Sequence, residues 1–166
     1  MASWPRVVVV GPGGVGAYFG GMLARAGAPV TMLGRPGGQR AHLVAMARHG
    51  LRLETLSFDE RVPVETATSA DVVATADLVL FSVKTLDTDE AARTIAPHVS
   101  DRTAVVDLQN GVDNPDRLRD AGIDPIVAVV YVAATVETPI NRVLWALVKL
   151  REQQDAQHHH KRTADA

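Results

Sequence analysis

The stretch that most restricts the fold is "VVVVGPGGVGAYFGG", Val7 to Gly21, where four valines break into a glycine-rich loop. An unbroken Val7–Val10 run reads as a strand buried on both faces, the habit of parallel sheets. From Gly14 to Ala26, Val15, Tyr18, Phe19, Met22 and Leu23 recur at helical spacing; Gly27 stops the helix and Pro29 keeps it from resuming. Between strand and helix, Gly11-Pro12-Gly13-Gly14-Val15-Gly16 fits G-x-G-x-x-G. In that pattern the first glycine permits a tight turn, the second admits a pyrophosphate close to the backbone, and the third lets helix pack near strand. The helix start then offers unpaired N–H groups and a partial positive charge to an anion. A strand before and a helix after, within about 30 residues, lifts this motif above a ligand-free glycine turn. Gly11, Gly13, Gly14, Val15 and Gly16 are therefore the first candidates for cofactor binding.

The same alternation continues downstream. Val30–Leu33 reads as a second strand and Gln39–His49 as a second helix closed by Gly50. "LRLET" and "RVPVET" suggest short strands, with Pro63 favouring an edge. Asp77–Val83, Thr103–Leu108 and Ile126–Ala133 are further apolar strands, separated by a helix from about Thr88 to Ala96 and a short one that Asn114-Pro115 opens as N-cap and first helical position. This order predicts an α/β fold: a Rossmann-type doubly wound, mostly parallel sheet with helices on both faces. A length of 166 residues, 46% hydrophobic and 22% charged, suits one globular domain. The domain is expected to span residues 1–138. Residues 139–166 then form a short helical tail, with Ile140, Val143, Leu144 and Leu147 as its apolar stripe and "DAQHHHKRTADA" as its polar end.

The end of the second strand bears on which dinucleotide fits. An NAD-binding unit commonly carries Asp or Glu there, whereas this strand ends Leu33-Gly34-Arg35, with no acid before Glu54. Arginine at that point suits a 2′-phosphate, and a missing carboxylate removes the repulsion that excludes one, so NADP(H) is preferred. Arg40 is a secondary candidate.

Ligands in such sheets sit beyond the carboxyl ends of the strands. There the chain offers Lys84 in "SVKT" and Asn110 in "QNG". Lysine is scarce, three against fourteen arginines, which draws attention to the compact ammonium of Lys84. Lys84 suits negative charge developing on a carbonyl oxygen, and Asn110 suits orienting a ligand by hydrogen bonding. A solvated lysine and an ordinary Asn-Gly turn are the competing readings. No metal site is expected, since His158–His160 fall in the polar tail and there are no cysteines. His42, His49 and His98 are isolated, and Trp145 reads as a packing residue. A net charge of −2 argues against bulk electrostatic binding of nucleic acid, and the longest apolar run is too short to span a membrane. A cytoplasmic protein is the expectation.

Through "VVVVGPGGVGAYFGGMLARAG", the strand ending "LGR", "ADLVLFSVKT", "VVDLQNGVDNPDRL" and "AVVYVAATVETP", the chain resembles the ketopantoate reductase (2-dehydropantoate 2-reductase) family, in its N-terminal cofactor domain. The resemblance covers about residues 6–139. It implies NADPH-dependent reduction of the keto group of ketopantoate to pantoate, a step toward coenzyme A. By the same resemblance Gly11, Gly13 and Gly16 meet the pyrophosphate and Arg35 the 2′-phosphate, while Lys84 and Asn110 lie by nicotinamide and substrate as the catalytic pair. The family continues into a helical domain that supplies a catalytic lysine. Neither Lys149 nor Lys161 sits in a matching motif, so the change after Pro139 suggests a truncated or frame-shifted reading, or an excised domain. The expected partners are a keto acid and either the absent domain or a second copy in a homodimer. The chain alone is then expected to bind NADPH with little turnover. Two alternatives stand beside this: a stand-alone NADP-binding module, and a related dehydrogenase of another 2-keto or 3-hydroxy acid.

Overall fold

The computed structural model describes residues 4–37, 40–55, 57–131, 134–137 and 142–145. Along the chain these form β1 (Val7–Val10), α1 (Gly14–Arg25), β2 (Val30–Leu33), α2 (Arg40–His49), β3 (Leu51–Glu54), β4 (Asp59–Val62) and β5 (Glu65–Ala67). Then come β6 (Leu78–Phe81), α3 (Thr88–Ile95), β7 (Ala104–Asp107), α4 (Asn114–Asp120), β8 (Ile126–Val127), β9 (Ala134–Glu137) and β10 (Arg142–Trp145). The main sheet has the order β5-β2-β1-β6-β7-β8, and every pairing in it is parallel. β1 is central, with Val7 opposite both Val30 and Leu78. The chain runs outward from β1 through β2 on one side and resumes through β6 on the other. The crevice at that reversal is where such sheets bind ligands.

Alternation sorts the core into two layers. Val7 and Val9 join Val30, Met32, Leu51 and Leu53 on one face, while Val8 and Val10 join Phe81, Ile95, Leu118 and Ile123 on the other. α3 and α4 cover the second face. On the first, α1 lies between the main sheet and a second one. A Cβ on Gly20 would come within 2.6 Å of Val9 Cγ2, and one on Gly21 within 2.7 Å of Leu51 Cδ2. Adjacent glycines thus let one helix approach two sheets. Its large apolar residues (Val15, Tyr18, Phe19, Met22 and Leu23) pack around them only partly buried.

Three expectations need correction. The second sheet, of order β4-β3-β10-β9, places residues 142–145 in a strand, where a helix was expected. β10 pairs parallel with β3 and antiparallel with β9, so its backbone groups bond across strands. Over so short an apolar run, tertiary pairing overrides the helical spacing of Val143 and Leu144. Ile140, Leu147, Lys149, Lys161 and His158–His160 lie outside the described residues. Among its described residues, the expected strand 126–133 pairs in the main sheet only at Ile126 and Val127, opposite Val106 and Asp107. Finally, Asp113 occupies the capping position of α4, so Asn114 is its first helical residue; Asn114 is buried, with its amide turned toward Asn110 O at 3.4 Å.

Candidate functional site

The glycine turn is held from three sides. Gly11 has φ +81°, a conformation open to glycine, and its N–H donates to Leu33 O at 3.1 Å. Ser82, just past the end of β6, donates its hydroxyl to Gly11 O at 2.9 Å and lies 3.1 Å from Val10 O. A Cβ on Gly16 would collide with that hydroxyl and come within 2.8 Å of Gly11 O, which is why the third glycine is needed. Around Gly13 the situation is reversed: a Cβ there would meet nothing within 4 Å. α1 begins at Gly14 with no side-chain cap and no acid in its first turn. The N–H groups of Gly14, Val15 and Gly16 have no intrahelical partner by helix geometry.

His42, on α2, braces the turn. It is 7% exposed, and its Nε2 lies 3.2 Å from Pro12 O. A carbonyl only accepts, so Nε2 carries the proton and Nδ1 is bare; Nδ1 is buried without a partner. Burial holds the imidazole below its usual pKa of 6.5, against a smaller upward pull from the Pro12 carbonyl.

Beyond the ends of β1, β2 and β6 opens a cleft of about 860 Å³, lined by Gly13, Arg35, His42, Lys84, Asp87 and Glu90 among others. Arg35 and Lys84 are exposed. Arg35 is already engaged: its Nη1 bonds Asp87 Oδ1 at 2.9 Å. The missing acid at the end of β2 is thus replaced in space by one 52 residues later, and the cleft does not lack the carboxylate that the sequence left out.

Lys84 rides on a closely fastened loop. Gln109 Nε2 donates to Val83 O at 2.8 Å, the Asp87 N–H to Lys84 O at 2.8 Å, and Arg117 Nη1 to Thr85 O at 2.7 Å. Arg117 also grips Asp89 through two bonds of 2.7 Å, joining α4 to α3. Gln109 Nε2 reaches Thr88 Oγ1 as well, at 2.8 Å, so one buried amide ties the loops after β6 and β7 together. Beside it Asp107 accepts the Gln109 N–H at 2.9 Å, while Asp107 Oδ2 is buried without a partner. Burial raises the Asp107 carboxyl pKa, opposed by that hydrogen bond. Asn110 is exposed and lies outside the cleft wall, one residue from this junction. The described part of the fold therefore brings the glycine turn, Arg35 and Lys84 to one cleft and does not bring Asn110 into its wall.

Sequence reasoning missed Ser82, His42, Asp87, Gln109 and Arg117. Ser82 and Gln109 stand beside the two motifs that drew attention, and their position was a usable signal. Asp87 gave none. Among the described residues no cluster of His, Cys, Asp or Glu suits a metal ion, and no helix is long and apolar enough to cross a membrane.

A family model described as ketopantoate reductase PanE/ApbA matches residues 7–155. The family likeness thus continues past Pro139, which overturns the expectation that it stops there. The 2-dehydropantoate 2-reductase of Pyrococcus horikoshii is 31% identical over 135 residues, 81% of this chain and 42% of that protein. Its counterpart in Halobacterium salinarum is 43% identical over 110 residues, 66% of this chain and 35% of the relative. A solved PanE/ApbA family ketopantoate reductase from Ralstonia eutropha JMP134 superposes with a TM-score of 0.76 at 45% identity, covering 84% of this chain and 46% of that one. The chain spans less than half the length of each.

Proposed function

The chain belongs to the ketopantoate reductase PanE/ApbA family, and from that premise we propose that it supplies the NADP(H)-binding part of an enzyme reducing 2-dehydropantoate to pantoate. The observation that carries the reading is the open side of Gly13 at the uncapped start of α1, inside the cleft that Arg35 and Lys84 also line. At the first and third glycines of the motif an added Cβ is blocked by protein: by Val83 at Gly11 and by Ser82 at Gly16. Of these three glycines, Gly13 is the one with empty space beside it, as a closely approaching pyrophosphate requires. The amides of Gly14, Val15 and Gly16 would hold its oxygens, aided by the positive end of α1. Arg35 would bind the 2′-phosphate by charge-assisted hydrogen bonds.

When bound, NADPH supplies the hydride that such a reduction needs. The chain's own contribution at the reacting end is the Lys84 ammonium, which would stabilise negative charge on the keto oxygen, and the Asn110 carboxamide, which would orient the substrate by hydrogen bonding. Fastening the backbone at Val83, Lys84 and Thr85 limits how far that ammonium can wander, which favours a fixed position over a solvated one.

Titration of the protein with NADPH and with NADH, in wild type and Arg35→Ala, tests this. Loss of Arg35 should weaken NADPH selectively, by about 1.5–3 kcal/mol as for hydrogen bonds to charged groups. Equal weakening of both cofactors would remove Arg35 from the phosphate site.

A further inference from the structure

We infer that Asp87 is a specificity-determining residue that competes with the 2′-phosphate for Arg35 and so moderates the preference for NADPH over NADH; the inference rests on the proposed role of Arg35. The pair is close, at 2.9 Å, and joins residues that follow strands on opposite sides of β1. Both line the cleft, together with Glu90. Asp87 is the less exposed partner, 30% against 61% for Arg35, so the carboxylate belongs to the cleft wall and the guanidinium is the member more open to a ligand.

The placement of Asp87 argues that its carboxylate is committed. It occupies the capping position of α3, where aspartate ordinarily bonds the first free N–H groups of the helix. Here it makes no such bond and turns to Arg35 instead. A ligand carrying a 2′-phosphate must take the guanidinium from this carboxylate before Arg35 can hold it. A ligand with a free 2′-hydroxyl leaves the pair intact. The two cofactors therefore meet different costs in the same cleft, and Asp87 sets the difference.

Asp87→Asn keeps a good capping residue and removes the charge. Binding of NADPH and NADH is measured by titration in wild type, Asp87→Asn, Arg35→Ala and the double variant, with melting temperatures confirming that each folds. Asp87→Asn should tighten NADPH by about two- to fivefold, the range of an exposed ion pair, and leave NADH within about twofold. In the Arg35→Ala background the same change should have little effect on NADPH, because the contested group is gone. Weaker NADPH binding by Asp87→Asn would mean that Asp87 positions Arg35, and would overturn the competition. Equal tightening in both backgrounds would also overturn it, in favour of plain repulsion. If Arg35→Ala weakens NADPH and NADH alike, the phosphate role of Arg35 fails first and the inference falls with it.

Discussion

Three glycines share one motif, yet each residue meets a different physical demand. Gly11 answers to backbone conformation, Gly16 to packing against Ser82, and Gly13 to neither, since its φ of −76° is open to any residue and its surroundings are empty. Gly13→Ala should therefore leave thermal stability within about 0.5 kcal/mol, as for changes away from packed sites, while weakening NADPH by about tenfold or more. Gly16→Ala should instead lower the melting temperature, because its Cβ has to displace Ser82. Parallel thermal scans and titrations of the two variants separate these outcomes; unchanged NADPH affinity in Gly13→Ala would mean that nothing approaches the turn there. The motif itself was legible because its spacing is local. Asp87 was not, because a contact across 52 residues depends on which strands flank β1, and no local pattern records that.

At the scale of elements, α1 carries the most constraint. It must pack tightly on β1 and β2 through Gly20 and on β3 through Gly21. Gly20→Ala gains about 1 kcal/mol of helix propensity but forces a methyl against Val9, a stiff β-branched residue inside the central strand. Overpacking of this kind costs about 1–3 kcal/mol, so a net loss of about 1 kcal/mol is expected, read as a lower denaturant midpoint with unchanged slope. A stabilised variant would indicate that α1 stands farther from the sheet. The strands of the main sheet were legible because most are buried on both faces and so spell apolar runs: Val7–Val10, Val30–Leu33, Leu78–Phe81. The second sheet was not: β3 was legible as a strand in "LRLET", but its parallel partner is β10, far along the chain. Parallel pairing needs a long crossover and leaves no hairpin signal.

For the whole molecule, the two titratable side chains buried among the described residues, His42 and Asp107, make opposite contributions to stability against pH. His42 has a folded pKa below its unfolded 6.5, so its contribution is complete above pH 6.5 and is lost as pH falls through the folded value. Asp107 has a folded pKa above its unfolded 3.8, so its contribution is complete below 3.8 and is lost as pH rises through the folded value. Between those limits the two slopes oppose one another and the wild-type profile hides both. Single variants separate them. His42→Gln retains a donor for the Pro12 carbonyl, and Asp107→Asn retains an acceptor for the Gln109 N–H. Relative to wild type, His42→Gln should gain stability as the pH is lowered from about 7 to about 4.5, and Asp107→Asn should gain as it is raised. Each difference is limited to about 1.4 kcal/mol per pH unit within its window. The exposed pairs Arg25–Glu60 and Arg117–Asp89, whose arginines hydrogen-bond the carboxylates and lower their pKa values, also lose stabilisation in acid, but they are common to all three proteins and cancel in the differences. Urea unfolding across this range measures both slopes. Variant profiles that run parallel to wild type would mean that neither side chain is buried at the site, and with them would go the bracing of the glycine turn by His42.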